Sequence, residues 1–387
     1  MNLEERFYQE FGIKSEYKYR APARINLIGE HIDYNGGKVL PCAISKYITA
    51  LVSKRNDNII SISSTEIDKH FELNLSCIEY QKEYDWGNYV FGMFYTLLNE
   101  GYNISCGLNI LVSSDIPLAS GLSSSAALLD LICFLTNDIF NLKIENRDIA
   151  ILAQKCENDF CGLKSGIMDE AAIALGKENK CMLLDCAKFE YKYYNLELND
   201  YSFVVLKTNK PRKLVESKYN ERVEECTKAL NILKPIYDIE NLCDLSTTEL
   251  VNIKDYLNDD LLYRRVKHVI TENNRVNEFI KALQDRKIDH LANILNDSHL
   301  SLKNDYEVSG MHLDAIVESA IHAGALGSRM TGAGFGGCAI ALIKKSDFNG
   351  FKAKVEKEYF EKTNIIPDIF VVKIANGPKV LNNSKKP

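Results

Sequence analysis

The chain has 387 residues, 46% of them hydrophobic and 26% charged, with a formal net charge of −6 at pH 7, which predicts a soluble globular protein of two domains. The acidic balance gives no electrostatic footprint for nucleic acid. No run approaches the ~18 apolar residues of a membrane span, and the opening MNLEERFYQEFG has no apolar core of a secretion signal.

In chain order, the first segment with chemistry is RAPARINLIGEHIDYNGG, residues 20–37. Arg24, Glu30, His31 and Asp33 crowd a turn-rich stretch broken by Gly29, Gly36 and Gly37. Polar groups alternating with glycines suit the wall of a small polar ligand, although a solvated loop has the same look. A strand pattern at GLNILVSS (107–114) leads into IPLASGLSSSAALLD (116–130), whose Gly/Ser stretch runs straight into the helical AALLDLICFLTNDIF. A strand, a Gly/Ser loop and a helix start together make an anion site, because unpaired N–H groups and the helix dipole face the loop. Gly121 permits close approach, and Ser123, Ser124 and Ser125 supply hydroxyls. A serine N-cap with a flexible entry accounts better for a lone loop of this kind. It is not a Walker loop, since GxxxxGK[ST] is missing.

NRDIAILAQKCENDF (146–160) is a second helix, with Ile149, Leu152, Ala153, Cys156 and Phe160 on one face. LELNDYSFVVL (196–206) reads as a strand opening a new region, so the economical division is 1–195 and 196–387. The helix LVESKYNERVEECTKALNIL (214–233) follows, and the pattern stays largely helical from 234 to 300. GSRMTGAGFGGCAIALI (327–343) then gives a glycine loop feeding an apolar strand. Gly332, Gly334 and Gly337 spell GxGxxG, but a dinucleotide fingerprint must open a helix. A nicotinamide-dependent oxidoreductase therefore fails on context, and a tight backbone passage packed against another loop is expected. No HRD and DFG pair accompanies it, which removes a protein kinase. Eleven cysteines occur without a CxxC pair or a zinc spacing. Cys133, Cys181 and Cys338 lie in apolar runs, so reduced, buried thiols in a cytoplasmic protein are expected.

GEHIDYNGG, GLSSSAA and GSRMTGAGFGGC resemble the three signature segments of the GHMP small-molecule kinases, and within them the chain resembles the galactokinase family. SKYNERVEEC, YRRVKHVITENNRV and KNDYEVSGMHLDAIVESA are also similar to galactokinase segments, so the resemblance covers nearly the whole chain. It implies a two-domain α/β (α+β) GHMP kinase fold: a ribosomal-S5-like N-terminal domain, a ferredoxin-like C-terminal domain, and an active site between them. The resemblance further implies transfer of the ATP γ-phosphoryl group to the anomeric hydroxyl of a hexose, D-galactose first, by a monomeric enzyme using ATP and Mg²⁺ without nucleic-acid or membrane partners.

Residue by residue, Ala119, Ser120, Gly121, Leu122, Ser123, Ser124 and Ser125 match the phosphate loop. Ser125 and Glu157 match magnesium ligands, Asp169 the catalytic aspartate, and Arg24 the arginine that stabilises the transition state. Glu30, His31, Ile32, Asp33 and Tyr219 match positions lining the sugar pocket. Trp86 is either a core aromatic or lies near adenine, and Asp169 ahead of an alanine-rich helix also suits an N-cap. Ala23, Ile32, Ala119, Ser165 and Glu170 depart from the commoner Gly, Thr, Gly, Cys and Gln, and GLKSGIMDEAAI is also similar to the galacturonokinase branch. These changes bear on the sugar more than on the chemistry. The alternatives are a kinase for galacturonate or N-acetylgalactosamine, and a galactose sensor without activity. Galacturonate would need a cation near its carboxylate, such as Lys164, Lys210, Arg212 or Lys213.

Overall fold

A computed structural model describes residues 2–117, 121–210 and 215–381. Helix α1 (Leu3–Phe11) opens on a capping box, with Asn2 accepting from the Glu5 amide at 2.8 Å. Strands β1 (Tyr17–Asn26), β2 (Lys38–Val39), β3 (Pro41–Lys54), β4 (Ile59–Ser64) and β5 (His70–Asn74) follow, then α2 (Gly87–Asn99) and β6 (Leu108–Ser114). Next come α3 (Ser124–Phe140), α4 (Asn146–Lys155), α5 (Met168–Ala174), β7 (Lys180–Asp185) and β8 (Glu190–Asn195). The remainder comprises β9 (Tyr201–Lys207), α6 (Val215–Tyr237), α7 (Leu250–Leu257), α8 (Asp260–Gln284), α9 (Ile288–Asn304), α10 (Gly310–His322), β10 (Gly327–Thr331), β11 (Cys338–Lys344), α11 (Phe348–Thr363), β12 (Asp368–Val371) and β13 (Lys379–Val380).

Six strands form one sheet in the order β13-β1-β3-β6-β4-β5, antiparallel except between β4 and β6. The two-residue period of a strand sorts its sides. Ala50 and Val52 of β3 join the main core, which α3 and α5 cover, while Leu51 packs with Phe7 of α1 and Leu111. β2, β7 and β8 make a small second sheet. A third, fully antiparallel sheet runs β10-β11-β9-β12, with α9 and α10 packed on it and α6, α7 and α9 gathered around α8. Strands up to Asn195 lie in the first two sheets and those from Tyr201 to Val371 in the third. The last strand crosses back, and β13 pairs with β1 through Tyr19↔Val380.

Several local expectations shift. The strand expected from 196 begins at Tyr201, after a turn that Leu198 closes by accepting from the Tyr201 amide. The helix expected through Phe160 gives way to a π turn, Cys156–Phe160, whose wider loop the Cys161 amide closes onto the Cys156 carbonyl at 3.1 Å. Such turns concentrate at functional sites. Cys133, Cys181 and Cys338 are buried as thiols, whereas Cys77 is exposed. Among the described residues no helix is long and apolar enough to cross a membrane.

Candidate active site

A cleft of about 630 Å³ opens where β1, the 29–37 loop, the start of α3, the π turn, the start of α5 and the 332–333 turn meet. β1 changes register against β3 between Pro22 and Ala23, a place where a proline without an N–H is tolerated. Beyond it Arg24 and Asn26 share one side of the strand. Arg24 is 3% exposed and grips Asp169 with both arms, Nε to Oδ1 at 2.7 Å and Nη2 to Oδ2 at 2.6 Å. Its third arm donates to the Gly121 carbonyl at 2.8 Å. One guanidinium thus ties the Asp169 carboxylate to the Gly121 loop in a fixed fork. Asp169 is the second residue of α5, whose N-cap position is Ile167, so its carboxylate serves the cleft and not the helix end.

The Ser123 hydroxyl does not cap the helix that follows it. Ser123 occupies the N-cap position of α3 in the left-handed region, φ 59°, and makes no capping bond; its hydroxyl donates to Asp169 instead. The first turn of α3 is left facing the cleft, with Ser124 and Ser125 on its wall. Ala119 and Ser120 lie outside the described residues. Gly332 is the tight passage expected of the second glycine loop: a Cβ there would stand 2.5 Å from the Gly121 carbonyl.

Glu157 sits on the π turn, 3% exposed, with Ser125, Ser165 and Glu170 within hydrogen-bonding reach. Burial pushes its carboxyl up, the nearby side chains of Ser165, Glu170 and Ser125 pull it down, and the Asp169 charge raises it further. Behind it Glu170 and Asp130 are fully buried, and burial together with the charges of Glu157 and Asp169 pushes both well up. A hydroxyl and one carboxylate at the cleft wall form a hard oxygen donor set that suits Mg²⁺ sharing its shell with phosphates and water. Among the described residues no three-residue cluster of His, Cys, Asp or Glu fits a fully protein-held metal.

Glu30, His31, Asp33 and Tyr219 also line the cleft. Glu30 is 1% exposed and paired with Arg329. His31, at φ 62°, uses both ring nitrogens on the protein, Nε2 against the Ala333 carbonyl at 3.2 Å and Nδ1 against the Tyr34 hydroxyl at 2.8 Å. A carbonyl only accepts, so Nε2 carries the proton and Nδ1 accepts from Tyr34. Burial, with His268 adding to it, holds His31 down to about 3. His31 therefore offers the cleft its ring face, 5.5 Å from the Tyr219 ring. Burial first, then the charges of Asp169 and Glu30, push Asp33 up to about 7. Ile32 is different: its side chain is fully buried in the hydrophobic core and does not line the cleft, although Glu30, His31 and Asp33 around it do.

Sequence reasoning passed over Tyr89 and Gly166, which also line the cleft, as does Ser165. Trp86 does not line it. It packs against Phe71 and the core, and Tyr89, nearly one helical turn later, presents the aromatic ring instead. Lys164 is 60% exposed and faces Glu224 at 3.6 Å, and neither it nor Lys210 lines the cleft. Arg212 and Lys213 lie outside the described residues.

Residues 5–54 match the galactokinase galactose-binding signature, 88–177 the GHMP kinase N-terminal domain and 279–362 the GHMP kinase C-terminal domain. The galactokinase of Clostridium tetani is 43% identical over 377 residues, covering 97% of this chain and 96% of its own. That of Clostridium beijerinckii is 41% identical over 380 residues, with 97% and 98% covered. The crystal structure of Lactococcus lactis galactokinase complexed with galactose superposes with a TM-score of 0.95 at 41% identity, over 98% of this chain and 99% of that one.

Proposed function

Since the chain belongs to the galactokinase family and has the GHMP kinase fold, we propose that its cleft transfers the γ-phosphoryl group of ATP to the anomeric hydroxyl of D-galactose. The products are galactose 1-phosphate, ADP and a proton. The observation that carries the reading is the Arg24–Asp169 fork, which lines one cleft with Ser123–Ser125, Glu30, His31 and Asp33.

In this mechanism the phosphates lie against Gly121–Ser125 and the start of α3. Asp169 orients the C1 hydroxyl and takes its proton, and Arg24 keeps the carboxylate aimed while offsetting charge on the phosphoryl group. Ser125 and Glu157 would hold Mg²⁺, which when bound neutralises phosphate charge. Glu30 and Asp33 accept sugar hydroxyls, with the His31 and Tyr219 rings closing the pocket. The division at residue 195 separates a phosphate- and sugar-bearing part from a part that closes over it. We also infer a cytoplasmic monomer.

Galactose is favoured over galacturonate because two carboxylates would face the C6 carboxylate, and among the described residues neither Lys164 nor Lys210 lines the cleft to offset them. Side-by-side kinetics on galactose, N-acetylgalactosamine, galacturonate and arabinose test this. Galactose should exceed galacturonate in kcat/KM at least about tenfold, ~1.4 kcal/mol of transition-state binding. A preference for galacturonate would overturn the sugar assignment, and absence of ATP turnover on every sugar would favour the sensor.

A further inference from the structure

The segment YRRVKHVITENNRV lies on α8 and contributes no side chain to the cleft wall. Its buried face nevertheless grips the sugar loop from behind. Oε1 of Glu272, fully buried, accepts from the Gly29 amide at 2.9 Å, the Glu30 amide at 3.2 Å and the Ser298 hydroxyl at 2.8 Å. Its other oxygen accepts from Nε of Arg275 at 2.7 Å. One turn earlier on the same side of the helix, His268 Nε2 donates to the Glu30 carbonyl at 3.0 Å. The Glu30 carboxylate is held in turn by Arg329, whose Nη1 also donates to the carbonyls of Asn26 at 3.1 Å and Leu27 at 2.8 Å. The amide, carbonyl and carboxylate of Glu30 therefore each have a protein partner.

We infer that Glu272 is a positioning residue for sugar recognition: it fixes the Gly29–Glu30 turn so that Glu30 meets one particular sugar hydroxyl. This rests on the reading of Glu30 as a sugar ligand. Charge is part of the device. Burial alone would raise the Glu272 carboxyl, but Arg275, His268 and Arg329 hold it at about 2. Only a carboxylate oxygen readily takes three donors at once while its twin takes a guanidinium. A glutamine would turn an N–H₂ toward either the two amides or Arg275, and the turn would lose its register. Gly29 leaves no slack, because at φ +96° its position stands against the Lys38 carbonyl, 2.8 Å from where a Cβ would be.

The test compares Glu272→Gln, Glu272→Asp and Glu30→Gln on galactose and its monodeoxy analogues, with melting curves for each. Glu272→Asp keeps the charge but draws the carboxylate a methylene short of the amides. Both Glu272 variants should raise the KM for galactose roughly tenfold or more, with kcat and the KM for ATP changed less than about threefold. Both should also blunt discrimination against the same deoxygalactose that Glu30→Gln ceases to discriminate. Glu272 variants with a wild-type galactose KM, an equal change in both KM values, or failure of both to fold would overturn the inference. If Glu30→Gln keeps the full deoxygalactose profile, the sugar-site reading of Glu30 falls, and the inference with it.

Discussion

A single methyl group offers a sharp test of Asp33 as a sugar ligand. Gly166 faces Asp33 so closely that a Cβ there would lie 2.0 Å from Oδ2 and 2.4 Å from Cγ, where ordinary contact begins near 3.4 Å. In Gly166→Ala the carboxylate must retreat by more than about 1 Å, and the half-buried Cys186 and Cys243 are among its neighbours. Overpacking of this kind costs about 1–3 kcal/mol of stability, a drop of a few degrees in Tm for a chain of this size. The functional loss should be larger, since a ~1 Å misplacement of a positioning group costs about 100-fold. Steady-state kinetics with galactose and ATP varied separately, beside a thermal melt, should show kcat/KM for galactose down roughly 100-fold. Gly350→Ala, on α11 with nothing within 4 Å of its Cβ, is the control. A Gly166→Ala enzyme with a wild-type KM for galactose would remove Asp33 from the sugar site.

Asp169→Asn keeps the size but not the charge, so turnover should fall ~10²–10⁴-fold with nucleotide affinity retained; a loss under tenfold in a rapid-quench assay would reassign the base. Arg24→Lys replaces a fork by a point charge and should lower kcat roughly 100-fold, more than it raises KM, and unchanged kinetics would take Arg24 out of the site. Glu157→Gln should shift the Mg²⁺ titration of activity upward about tenfold or more, whereas an unmoved titration leaves Glu157 structural. With Asp33 at about 7, its ionised form accepts sugar hydroxyls, so the KM for galactose should fall about tenfold as pH rises from about 6 to about 8. That dependence should vanish in Asp33→Asn. On folding the sign reverses: this raised pKa contributes stability that is full below pH ~4 and is lost as pH rises through about 7.

What could be read from the residues follows from how local each signal is. The α3 helix and its Gly/Ser approach announce themselves within fifteen positions, and the failed GxGxxG is rejected by the strand that follows it. The fork between Arg24 and Asp169 spans 145 positions, and no spacing rule encodes it; only the family likeness brought the two together. Glu272 was invisible for the same reason, since it meets Gly29 across 243 positions. Its signal was present in YRRVKHVITENNRV, where buried charges interrupt the apolar stripe of a helix. Membership of a signature segment says nothing about which way one side chain points, so Ile32 turns to the core while Glu30, His31 and Asp33 line the cleft. Gly166 was missed because what it supplies is an absent side chain.

The pairing of β13 with β1 has a consequence for how the molecule is made. β1 carries Arg24, yet the partner that covers its outer edge at Tyr19 and Arg20 consists of Lys379 and Val380. Synthesis at ~5–20 residues per second leaves that edge waiting for tens of seconds after β1 has left the ribosome. Throughout that interval the strand bearing the central arginine is an open template for another nascent chain. The first sheet is thus begun early and completed last, and a chain released before Lys379 keeps its edge bare.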